Sequence, residues 1–139
     1  MVPKSDWLLF AVLAFLFWGF WGFFPKIASQ YVGAKSLLIY ETLGIILVSI
    51  PFFLLLGFKL EFHAVGTTFA VLTGIAAALG SFFFFIALKK GFVSVIAPFT
   101  ALYPLVTVLL AVLILREPLT IKQGVGIFLA LVSVLFLAL

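Results

Sequence analysis

Five apolar runs, at residues 7–24, 37–56, 65–88, 93–115 and 121–139, fill most of this chain, and almost every charge falls between them. A hydrocarbon core about 30 Å thick takes roughly 20 residues of helix to cross, and each run is close to that length. Lipid offers no water to the backbone, so polar backbone groups must pair within their own helix or in a closed barrel. Barrel strands alternate with period two over about ten residues; these runs are longer and evenly apolar. The expected fold is all-α: a polytopic membrane protein with five transmembrane helices forming one domain over residues 1–139. The lipid bilayer is its first partner.

Composition excludes the aqueous alternatives. Of 139 residues, 67% are hydrophobic and 9% charged, whereas soluble domains run at about 45–50% and about 25%. A chain this small cannot hide so much apolar surface in water. The net charge of +4 comes from eight basic and four acidic residues spread thinly along the chain. Basic residues at membrane borders explain it, and no nucleic-acid footprint is expected. Cysteine is absent and the one histidine, His63, sits in a polar turn beside Glu61, so neither a metal site nor a cofactor is expected. There is no nucleophile elbow, phosphate-cradling loop or two-histidine helix motif, hence no catalytic residue and no enzyme. The first run is longer than the about 7–15 apolar residues of a signal peptide. It has Asp6 beside Lys4 and lacks a small-x-small site after Phe24, so it reads as a retained span.

The connections are short, and with five spans the two ends lie on opposite sides. One side carries Lys4, Lys59, Arg116 and Lys122, the other Lys26, Lys35, Lys89 and Lys90, four against four. Orientation follows the Lys/Arg excess on the cytoplasmic side, and here there is none. Two readings stay open. The chain inserts both ways up and pairs as an antiparallel homodimer, or finer detail fixes a single orientation.

Several helix faces stand out. The first run places Ala14, Trp18, Gly22 and Lys26 at four-residue spacing; the third aligns Ala70, Gly74, Ala77 and Ser81; the fifth aligns Gly126, Ala130 and Ser133. Small residues let a second helix approach closely, so Gly22, Gly74, Ala77, Gly126 and Ala130 read as packing positions, with pore lining as the alternative. The fourth run carries Pro98 and Pro104. Each proline removes a backbone donor and crowds the carbonyl four residues back, which frees Ser94 and Thr100. Thr100, Tyr103 and Thr107 fall on about one face and are placed to satisfy those groups. Such a break marks either a binding site or a packing kink. Glu41 is the one acid inside a run. Ionisable groups in spans are functional candidates; its alternative is an interfacial pair with Lys26 or Lys35. Glu117 precedes Pro118, Leu119 and Thr120, a turn that either puts Pro118 in the first turn of the next helix or leaves Thr120 to cap it.

From Ile86 onward these features form a recognisable pattern: Ala87-Leu88, Gly91, Ala97-Pro98, Leu102-Tyr103-Pro104, Glu117-Pro118-Leu119-Thr120, Gln123 and Gly126. Residues 86–137 strongly resemble the EamA domain of the drug/metabolite transporter superfamily. The opening Trp18-Gly19-Phe20-Trp21-Gly22 is similar to the family's first helix, and the likeness is weakest at residues 33–62. A typical member has ten helices in two five-helix repeats of opposite orientation; this chain looks like one EamA-like repeat, similar to the short five-helix bacterial and archaeal branch. The resemblance implies a multi-pass protein of the cell (plasma) membrane. It also implies secondary transport of a small-molecule metabolite by alternating access, with an antiparallel homodimer supplying both halves of the cavity. Trp18, Trp21, Glu41, Thr100, Tyr103 and Thr107 are the expected cavity residues. The alternatives are a non-transporting membrane scaffold or one half of a heterodimer. Two departures from the pattern matter. Arg116 stands where many members have Gly, and Glu41 lies where many repeats carry Arg, which leaves the charge of a substrate open.

Overall fold

Every regular element among the described residues is α-helical, as the apolar runs require. The computed structural model describes residues 6–138, so Lys4 of the charge tally and Leu139 at the end of the fifth run lie outside the described residues. The helices are α1 (Asp6–Ala28), α2 (Ala34–Leu55), α3 (Ala64–Lys90), α4 (Val93–Thr100), α5 (Tyr103–Ile114) and α6 (Ile121–Ala138). Four stretches are long and apolar enough to cross a bilayer, Trp7–Ala28, Ala34–Leu55, Ala64–Lys90 and Val93–Ile114, and Ile121–Phe136 is a shorter apolar helix. The five-span membrane fold therefore stands, with its fourth span in two pieces.

Proline acts differently at different places. Pro25, Pro51 and Pro98 all lie inside helices that continue past them. The first span accordingly runs four residues beyond its expected end at Phe24, because Pro25 does not stop it. The break comes at the second proline of the fourth span. α4 stops at Thr100, and α5 starts at Tyr103 with Pro104 in its first turn. Pro104 cannot donate to the Thr100 carbonyl, while its fixed φ suits a helix start. Between the two pieces, the Ala101 N–H donates to the Ala97 carbonyl at 2.9 Å and the Leu102 N–H to the Phe99 carbonyl at 3.2 Å. One expectation is corrected here. The Thr100 hydroxyl donates to the carbonyls of Ile96 (2.9 Å) and Ala97 (3.0 Å), not to that of Ser94. A threonine side chain on a helix reaches only three or four residues back, and Ser94 is six residues away. Thr107 likewise turns back on its own helix, toward the Tyr103 carbonyl at 3.5 Å.

The helix ends are closed by local bonds. The Gly66 N–H donates to His63 Nδ1 at 3.3 Å and the His63 N–H to Thr67 Oγ1 at 3.4 Å, so His63 caps α3. At α6 the Gln123 N–H donates to Thr120 Oγ1 (3.3 Å), and the Thr120 N–H donates to Gln123 Oε1 (2.9 Å), a reciprocal capping box. Between α5 and α6 the chain reverses at Arg116, whose φ of 55° lies in the left-handed region. That conformation brings the Glu117 N–H within 3.2 Å of the Ala111 carbonyl.

The molecule divides into two compact units, Met1–Lys90 and Gly91–Leu139. Within the first, α3 packs against both α1 and α2; within the second, α4 packs against α6. Among the described residues the buried apolar side chains are Pro25, Leu37, Phe84, Phe85 and Leu88, all in the first unit. Phe84, Phe85 and Leu88 follow Ser81 at offsets of three, four and seven along α3, the spacing of a single buried helix face. A Cβ built on Gly22, Gly74 or Gly126 meets no atom within 4 Å.

Candidate functional site

α3 carries the site because its buried face ends in polar surroundings. Ser81, one turn before Phe84, is 6% exposed, and its hydroxyl donates to Glu41 Oε1 on α2 at 3.1 Å. From α1, the Trp21 indole Nε1–H donates to the same oxygen at 2.6 Å. The indole stacks on the Phe84 ring with centroids 5.3 Å apart and planes 16° from parallel. Two helices thus each contribute one donor to a single carboxyl oxygen carried by a third, and an aromatic pair fixes the indole that holds it. Parallel stacking contributes about 0.5–1.5 kcal/mol beyond area burial. Among the described residues both hydrogen bonds fall on Oε1 and none on Oε2.

These donors are neutral. They orient the carboxyl group without supplying a positive charge. The expected pairing of Glu41 with Lys26 or Lys35 is therefore replaced. Lys26 Nζ donates to the Leu88 carbonyl at 2.8 Å, near the C-terminal end of α3, where carbonyls lack helical donors and a cation is favourable. The reason is distance along the helix. Lys26 lies five residues past Trp21, about 7.5 Å further along the axis, and a helix end sits closer to it. The Ser29 hydroxyl donates to the Lys26 carbonyl at 2.9 Å and ties down the same turn. Lys35 is exposed at the start of α2.

Of the expected cavity residues, the structure brings Trp21 and Glu41 together. Trp18 is exposed on α1, one turn earlier. Thr100, Tyr103 and Thr107 belong to the second unit, where they flank the interruption between α4 and α5. Two members of the cluster, Ser81 and Phe84, were not singled out as cavity residues from sequence. The sequence places Ser81 on a face of small residues with Ala70, Gly74 and Ala77. Its hydroxyl, in a segment otherwise nearly free of polar groups, was the available signal. Phe84 is one of four consecutive phenylalanines, Phe82 to Phe85, and carried none.

Comparison with known proteins places the sequence in a family. The EamA-like transporter family matches the chain over residues 5–139. An uncharacterized protein of Methanocaldococcus jannaschii is 29% identical over 137 residues, covering 95% of this chain and 96% of that protein. No solved structure matches the chain. Helices of membrane-spanning length and a family match along nearly the whole sequence lead to one conclusion: the chain belongs to the EamA-like transporter family, as an integral membrane protein with one EamA-like repeat over residues 5–139.

Proposed function

We propose that this protein is a secondary transporter of small metabolites in the cell membrane, working as an antiparallel homodimer by alternating access. The observation that carries the reading is the placement of Glu41. A carboxyl group in an apolar span is costly and persists where it serves a pathway or a ligand. Here it is oriented by Trp21 and Ser81 rather than neutralised by a neighbouring lysine. The interrupted fourth span supports the same reading, since broken helices expose backbone groups where a transported solute binds. The tie in border charges favours pairing of opposite orientations. The open faces at Gly22, Gly74 and Gly126, with Ala77 and Ala130 beside them, are smooth enough for a neighbouring helix to lie against.

Uptake of radiolabelled amino acids, sugars and amines into proteoliposomes tests transport. Uptake above empty liposomes for at least one class is expected, and Glu41→Ala should abolish it. Rates equal to empty liposomes across the panel would remove the reading and favour a scaffold. Reporter fusions at both termini, with crosslinking, test the assembly. Comparable signals from both sides are expected; a single orientation would eliminate the antiparallel homodimer and leave a heterodimer with a second chain.

A further inference from the structure

We propose that the membrane border reached by the end of α1, the start of α2 and the end of α3 is a binding surface for anionic phospholipid headgroups, with Lys35, Lys89 and Lys90 as its cations. The proposal goes beyond the transport reading and does not depend on it. It follows from where the lysines of the first unit stand. The hydrogen bonds on Glu41 fix the register of three helices, because Trp21 of α1 and Ser81 of α3 both meet that one residue of α2. Lys26 Nζ reaches the Leu88 carbonyl at 2.8 Å, so α1 and α3 end on the same side, and the short connection after α1 starts α2 there as well. At about 1.5 Å of rise per residue, Lys26 lies about 7.5 Å beyond the Glu41 level, Lys35 about 9 Å, Lys89 about 12 Å and Lys90 about 13.5 Å. Four lysines from three helices thus gather within about 6 Å of one depth.

No acid shares that depth. The acidic residues of the chain are Asp6, Glu41, Glu61 and Glu117. Asp6 opens α1 and Glu61 stands beside Lys59 in the α2–α3 connection, both at the other end of the unit. Glu41 lies deeper, and Glu117 follows the fourth span, at the other border by the count of spans. Helix ends explain only part of the charge. A cation in the last turn of a helix is favourable, which suits Lys89 and Lys90; Lys35 stands in the first turn of α2, where a cation is opposed, and that turn holds no acid. Lys35, Lys89 and Lys90 are exposed. Among the described residues, every buried position of the unit lies between the Glu41 level and this end, Pro25, Ser29, Leu37 and Leu88 among them. The cations therefore stand on the firmest part of the unit. A clustered set of lysines at headgroup depth, with no acid to neutralise it, complements the phosphate of a lipid that carries net negative charge.

Native mass spectrometry of the full-length protein in detergent, titrated with phosphatidylglycerol or with phosphatidylcholine of the same acyl chains, tests the surface. Phosphatidylglycerol should bind at least about tenfold more tightly in about 0.05 M ammonium acetate, and the preference should shrink severalfold in about 0.5 M. Replacing three cations together, Lys35→Gln, Lys89→Gln and Lys90→Gln, should cut the preference to below about threefold. Removing three from the other border, Lys59→Gln, Arg116→Gln and Lys122→Gln, should leave it within about twofold of wild type. Equal affinity of the wild-type protein for the two lipids, or a preference indifferent to salt, would overturn the proposal whatever the folding of the variants. An equal loss in both triple variants would overturn it too, since the charge would then act without regard to place. Displacement of phosphatidylglycerol by inorganic phosphate at equal concentration would make the surface one for free anions and overturn the lipid assignment.

Discussion

Ser81 supplies the most economical test of the cluster, because a serine-to-alanine change removes one donor and almost no volume. A hydrogen bond of this kind contributes about 0.5–1.5 kcal/mol, and more when its acceptor is charged. Ser81→Ala should lower the unfolding midpoint in detergent by a few degrees and leave helix content unchanged by circular dichroism. Arg116 makes the opposite case. Its φ of 55° is a conformation that opposes a Cβ by about 1–2 kcal/mol and that glycine adopts freely. Sequence reading flagged Arg116 only as a departure from a family pattern in which glycine is common; the backbone supplies the physical meaning of that glycine. Arg116→Gly should therefore raise stability by about 1 kcal/mol, measured as the same midpoint.

At the level of the helices, sequence and structure agree where lipid dictates the answer and part where local geometry does. Spans are legible because an apolar run of sufficient length has no other stable home. Their ends are less so: Pro25 does not end α1, and Lys89 and Lys90 belong to α3 rather than to the turn after it. Helix interruption depends on how neighbouring carbonyls are satisfied, which residue order alone does not state. The cluster was half legible. Trp21 and Glu41 announced themselves as a bulky aromatic and an acid in lipid, but the choice of Ser81 over Lys26 as partner depends on axial offsets between three helices. The interruption between α4 and α5 is the element to alter. Pro104→Ala restores an N–H within reach of the Thr100 carbonyl, a gain of up to about 1 kcal/mol. Hydrogen exchange at Ala101 to Leu105 should slow, and uptake should fall if the opening carries solute contacts.

Across the molecule, helix lengths set a preference for bilayer thickness. α3, with 27 residues, spans about 40 Å, whereas α6, with 18, spans about 27 Å. The long helix must tilt, and the short one sits best in a thin membrane, where mismatch costs fractions of a kcal/mol per Å. Reconstitution in lipids of increasing acyl length should give highest stability near a hydrocarbon thickness of about 27–30 Å, with a decline in thicker bilayers; a flat response would contradict it. The interior itself is slight: among the described residues the buried apolar side chains are Pro25, Leu37, Phe84, Phe85 and Leu88. Within one chain, most of the helical surface is left exposed rather than interlocked. If the proposed transport cycle operates, so loose a grip lowers its cost, since each stroke unmeshes few side chains.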